Sequence, residues 1–203
     1  MVRKFILYVF FLQILFVYTN TLLAQGNSNV ATSTNTLNIR KTTKEDNPKR
    51  TVITFLKWYK ANEKRLDGII YLKGGLKDTT TFYSVDFKET ETYLNELKKS
   101  NFLSDFFIYD LRKYFAGLDN YLKQHPQNDG PVSGQDVDLV IKAQDYMDVW
   151  ENLNSSKIIF SNVTKTKATI KLQFIGNYKT IYSLTKHGDK WLLDRLDNAF
   201  ADN

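Results

Sequence analysis

Apolar residues recur with a helical period through the first half of this chain and with a strand period from Lys157 onward. Between Pro48 and Gly68, Val52, Phe55, Leu56, Tyr59 and Leu66 fall near one face of a helix, with Lys57, Lys60, Glu63 and Lys64 on the other. Pro48 suits a first helical position and Gly68 a stop. After a looser stretch containing Gly74-Gly75, the pattern predicts a short helix over Glu89–Lys99 with Tyr93, Leu94 and Leu97 inward. The longest helix is expected over Ser104–Gln124, where Ser104 can cap and Phe107, Leu111, Tyr114, Phe115, Leu118 and Leu122 recur at helical spacing. Two Pro and two Gly make His125–Gln135 a loop, and the first part of Asp136–Trp150 reads as extended.

From Lys157 the period becomes two. Ile158, Phe160 and Asn162 share one face; Ala168, Ile170, Leu172 and Phe174 a second; Tyr178, Thr180, Tyr182 and Leu184 a third. Gly176-Asn177 and His187-Gly188-Asp189 are turn signals, and Lys190–Leu196 is the last strand. Helices first and an antiparallel meander last is an α+β order, in which a sheet with one apolar face lays it on the helices.

The N-terminus has a different character. Arg3 and Lys4 flank an apolar run, Phe5 to Tyr18, interrupted only by Gln13, and Leu22-Leu23-Ala24 follows a polar stretch. Spanning a membrane takes ~20 apolar residues, so a signal peptide over residues 1–24, cut after Ala24, is favoured over an anchor, although Leu22 is large for its place before the cut. Residues 25–47 are rich in Asn, Ser and Thr with isolated apolar positions, and are expected to be a flexible tether. Residues 48–203 then form one domain, large enough to bury roughly two-thirds of its unfolded surface.

The chain has no cysteine, which removes a lipid-attachment thiol, disulfides and thiolate metal sites. Loss of Arg3 and Lys4 with the signal lowers the formal charge from +6 to +4. Lysines alternate with acids along most helices, which argues against a nucleic-acid footprint. The expected location is periplasmic or extracellular, with no membrane contact after cleavage.

Three short motifs occur in order: Phe55-Leu56-Lys57-Trp58-Tyr59; the pair Asp136-Val137-Asp138 and Ala143-Gln144-Asp145; and Lys190-Trp191-Leu192-Leu193-Asp194-Arg195-Leu196. Together they resemble domain-of-unknown-function family 3828, exported bacterial domains of the nuclear-transport-factor-two-like, cystatin-like superfamily. The resemblance spans about residues 50 to 197. It implies helices packed in the concave face of a curved antiparallel sheet, a cystatin-like cone, with a pocket at its open end. It implies no established activity.

Candidate chemistry is sparse. The two histidines, His125 beside Pro126 and His187 in a turn, are both expected at the surface and make no triad or zinc site with the available partners. Gly130-Pro131-Val132-Ser133-Gly134 is no nucleophile elbow, and Lys73-Gly74-Gly75 lacks the rest of a phosphate loop. Asn128, Asp129, Asp136 and Asp138 are oxygen donors without calcium-loop spacing. No catalytic residue, metal or cofactor is therefore assigned.

Asp145, set among Ala143, Tyr146 and Met147, is the acid singled out. Its expected role is structural, accepting hydrogen bonds from backbone amides or a tyrosine near the helix-to-sheet junction. The alternative is a buried base working beside Tyr59, Tyr114 or Tyr182. The abundant aromatics are the second feature, and Trp58, Tyr59, Tyr114, Asp145, Tyr182 and Trp191 form the candidate pocket. The leading expectation is an exported, non-catalytic binding or interaction domain whose partner is a small molecule or another secreted protein. The alternatives are a small-molecule isomerase or hydrolase, which requires a raised acid in a closed cup, and an inhibitor or immunity-type protein, which requires a protruding charged or apolar surface.

Overall fold

The computed structural model describes residues 47–75, 80–132, 135, 137–144, 147–174 and 178–198. The expected signal peptide, most of the tether, the Gly176-Asn177 turn and Asp145 lie outside the described residues. The first helix, α1, spans Pro48–Asp67, and two short strands, β1 (Leu72–Lys73) and β2 (Ser84–Val85), follow it. Next come α2 (Phe87–Lys98), α3 (Asp105–Gln124) and the short α4 (Met147–Glu151), and then the strands β3 (Lys157–Val163), β4 (Lys167–Gln173), β5 (Lys179–His187) and β6 (Lys190–Asn198). The fold is α+β. Among the described residues no helix is long and apolar enough to cross a membrane.

The helix ends follow local chemistry. The Asn47 side chain accepts from the amides of Lys49 and Arg50, Pro48 occupies the first turn, and Gly68 caps the other end. Asp86 and Ser104 cap α2 and α3 in the same way. All five apolar positions assigned to the inner face of α1 are buried.

β3 to β6 form an antiparallel meander in the order β3-β4-β5-β6. Its covered face carries Ala168, Ile170 and Leu172 from β4, Thr180, Tyr182 and Leu184 from β5, and Trp191, Leu193 and Leu196 from β6. Helix α1 lies against β4 and β6, and α3 against β6. Beyond β6, the chain entering α3 ties down the edge: the Leu193 amide donates to the Phe102 carbonyl at 2.8 Å and the Ser104 amide to the Leu193 carbonyl at 2.9 Å.

Three expectations need correction. The stretch around Gly74-Gly75 is a hairpin, with Leu72 opposite Val85. Both glycines have positive φ, and a Cβ on Gly74 would run into the Phe82 carbonyl. The segment after Asp136 is not extended but turns over Leu139–Ile141, because Asp138 binds the turn's own amides. Finally, Ile158 and Phe160 do not share a face: a bulge between them leaves Ile158 opposite Leu172, while Phe160 pairs with Lys171 on the other face.

Candidate ligand cleft

The inward face of α1 delivers Tyr59 to the C-terminal half of the helix, where the chain turns at Gly68 into β1. Beside it runs the 137–144 segment, closed on itself by two backbone bonds, from Lys142 N–H to Asp138 O at 2.8 Å and from Asp138 N–H to Ala143 O at 3.0 Å. The closure sets Lys142 at a φ of 62°, left-handed for a residue that is not glycine.

Asp138 is the hub of this corner. One carboxylate oxygen accepts from the amides of Val140 and Ile141, and the other accepts the Tyr59 hydroxyl at 2.8 Å. Burial pushes its carboxyl above the ordinary value, outweighing those hydrogen bonds, which favour the charged form. The Tyr59 and Tyr93 phenols are held far above theirs, chiefly by burial.

The sheet clamps the same turn. The Tyr178 hydroxyl lies 2.6 Å from the Ile141 carbonyl and 2.8 Å from Asn198 Oδ1, and Asn198 Nδ2 donates to the Lys142 carbonyl at 2.5 Å. The start of β5 and the end of β6 are thereby pinned to the Asp138 corner.

A cleft of about 400 Å³ opens beside Asp138, walled by Tyr59, Tyr71, Tyr93, Asp67 and Gln135 with Leu66, Ile70 and Leu139. Tyr71 packs edge-on against Phe115 at 4.9 Å, and its hydroxyl donates to Gln135 Oε1 at 3.2 Å. The Gln135 amide in turn donates to the Tyr114 hydroxyl. Burial, with the charges of Tyr114, Asp138 and Asp67 adding to it, pushes the Tyr71 phenol up to about 12. Asp67 is also raised, by burial first and then by Glu63 and Asp138. The lining therefore offers aromatic rings, hydroxyls and carboxyls, and among the described residues no cationic side chain.

The six residues singled out from the sequence do not converge on one pocket. Tyr59 lines this cleft. Tyr114 belongs to its hydrogen-bond network but lines a neighbouring cavity of about 260 Å³ between α3 and β6, with the Lys142 ammonium 5.8 Å over its ring. Trp191, buried on the covered face, borders a third space of about 520 Å³ with Thr51, Thr54 and Phe102. Trp58 stacks on Phe55 at the margin of the core, and Tyr182 lies within it; neither lines any of these three spaces. Asp145 lies outside the described residues.

Sequence reasoning missed Asp138, Asp67, Tyr71 and Gln135. Asp138 lies in the Asp136-Val137-Asp138 motif, and an Asp side chain readily accepts from the backbone amides two or three residues ahead of it. His125 and His187 are exposed, and Asp129 accepts from the Gly130 amide at 2.8 Å. Among the described residues no three His, Cys, Asp or Glu side chains are grouped to hold a metal ion. In comparisons with known proteins, the chain matches no family model, no curated protein and no solved structure.

Proposed function

We propose that the chain is an exported, non-catalytic binding domain whose cleft takes a small organic molecule with an apolar ring and hydrogen-bond donors. The observation that carries this reading is the lining of the 400 Å³ cleft, where Tyr59, Tyr71 and Tyr93 stand beside Asp67 and Gln135. An amine is the favoured donor, because a cation would relieve the repulsion among Glu63, Asp67 and Asp138. Export rests on the Arg3-Lys4 flank and the apolar run behind it, and the resemblance to family 3828 rests on the three ordered motifs alone. Mature protein beginning within a few residues of Gln25 is expected in N-terminal mass analysis; membrane-bound protein beginning at Met1 would overturn export.

The raised carboxyls of Asp138 and Asp67 are the observations that favour an enzyme. One feature weighs against that reading at Asp138: both its carboxylate oxygens are engaged by donors from the protein itself.

The test is mass spectrometry of protein purified from its native compartment, followed by amide NMR with the retained compound or with a panel of aromatic amines. Shifts are expected at Asp67–Leu72 and Gln135–Leu139, and Tyr71→Ala should weaken them. A retained compound that leaves those residues unshifted would move the binding site elsewhere.

A further inference from the structure

Unlike the other strands of the main sheet, β3 is exposed along its whole length. It pairs only with β4, so among the described residues its outer edge is a row of backbone N–H and C=O groups with no strand beside it. Apolar side chains are exposed on both faces of that edge. Ile158 and Val163, 41% and 47% exposed, lie toward the covered side, opposite Leu172 and Ala168. Ile159 and Phe160, 42% and 51% exposed, border a shallow groove on the outer side, completed by Thr169, Lys171 and Ile181.

The charge here is one-sided. Between Glu151 and Asp189 the sequence holds six lysines and no acid. Lys157, Lys165, Lys167 and Lys171 lie on β3, on β4 or in the turn between them. The interspersion of lysine with acid expected along the helices does not extend to this half of the sheet.

Both properties select the occupant. A lipid surface would touch one face and leave the edge's donors and acceptors unpaired. A second β3, paired antiparallel, would bring the Lys157 end of one copy to the Lys165 end of the other, and like charges across a ladder repel. An added strand of opposite charge covers both faces, pairs the edge and meets the lysines. We infer that β3 is a docking edge for an extended segment of another polypeptide, with alternating acidic and apolar residues, which joins the meander as a fifth strand.

The probes are three synthetic peptides: alternating valine and glutamate, its lysine counterpart, and the glutamate peptide with proline in place of one valine and one glutamate at its centre. Titration of the mature protein is read by calorimetry and by hydrogen exchange of the β3 amides. The valine-glutamate peptide should bind, protect the outward amides of β3 and lose affinity as salt rises. The lysine peptide should bind at least about tenfold more weakly, and the proline peptide, which lacks the ladder donors at its centre, should not bind. Lys165→Glu and Phe160→Ala, checked for unchanged melting, should each weaken the glutamate peptide.

Equal binding of the lysine or the proline peptide overturns the inference, as does protection that maps to β6. Protection of the outward β3 amides before any peptide is added also overturns it, because a second copy or the chain's own N-terminal segment would then hold the edge. Binding to phosphatidylserine vesicles without binding to the glutamate peptide assigns the face to lipid instead. A null titration with a ligand-filled Asp138 cleft would reject this surface alone.

Discussion

The two outer strands of one sheet have opposite fates. β6 is covered on its inner face by Trp191, Leu193 and Leu196 against the helices. It is tied along its edge by Phe102 and Ser104, and pinned at its end through Asn198 to the Asp138 turn. β3 has the same pairing to one neighbour but, among the described residues, no strand or tie on its edge, and it is exposed along its whole length. The charges differ too, with Asp194 and Asp197 balancing Lys190 and Arg195 on β6 and lysine alone on β3. The strand itself does not decide stability; what the following or preceding chain lays across it does. β6 is thus a structural edge and β3 is the edge left for a partner.

The sharpest way to break the contrast is at Trp191, which is 3% exposed. Truncating a buried Trp typically costs ~3–5 kcal/mol through lost burial and the cavity left behind. Trp191→Ala should therefore unfold the domain or lower its melting temperature grossly. A variant that melts within a few degrees of the parent would show that β6 is no better anchored than β3.

Next in size is the corner that holds the end of β6. Asp138→Ala would remove the acceptor of the Tyr59 hydroxyl and of the Val140 and Ile141 amides, and losing a charged hydrogen-bond partner costs ~1.5–3 kcal/mol. Exchange of the Leu196–Asn198 amides should rise with it, since the Lys142 carbonyl that Asn198 holds belongs to the same turn. Unchanged exchange there would mean that the turn and the strand end are independent.

Titrating the same acid gives a smaller, signed effect. Burial raises the Asp138 carboxyl in the folded state, while in the unfolded chain it titrates near ~3.9. Between the two values the native state holds more protons, so stability falls as pH rises through that window and levels off above it. Asp67, also raised, adds to the fall with the same sign. In Asp138→Asn the amide oxygen keeps the two backbone donors and the side-chain nitrogen faces Tyr59. The parent's advantage over this variant should therefore be greatest at the acid end and shrink with rising pH. Urea midpoints across the window check this, and an advantage that grows with pH would mean that the hydrogen bonds outweigh burial.

Local signals were legible in the sequence because their causes are local. Pro48, Gly68 and Ser104 mark helix ends through their own backbone chemistry, and the inner faces of α1, β4 and β5 follow from period alone. The cleft was harder to read because its parts are far apart: Tyr59 and Asp138 are 79 positions apart, and Tyr71 reaches Gln135 across 64. Tyr59 is legible because the helical period turns it inward. Its partner is not, since a capping Asp announces a turn without naming the tyrosine that completes it. The bulge in β3 was hard to place for a different reason: Ile158, Ile159 and Phe160 are consecutive apolar residues, and the run does not say which of them share a face once one extra residue is inserted.

The smallest expected effect sharpens the comparison most. Phe160 is 51% exposed and touches a groove instead of a core, so Phe160→Ser removes apolar surface that water already reaches. Surface changes away from caps, cores and special backbone usually stay within about 0.5 kcal/mol. The variant should therefore melt like the parent, although a large aromatic has been lost from the middle of a strand. Its solubility should rise, because an exposed apolar edge is a site of unwanted pairing. Equilibrium unfolding and light scattering at matched concentrations separate the two readouts. If Phe160→Ser instead costs as much as a core truncation, β3 is covered by some other part of the chain, and the two edges of the sheet are alike after all.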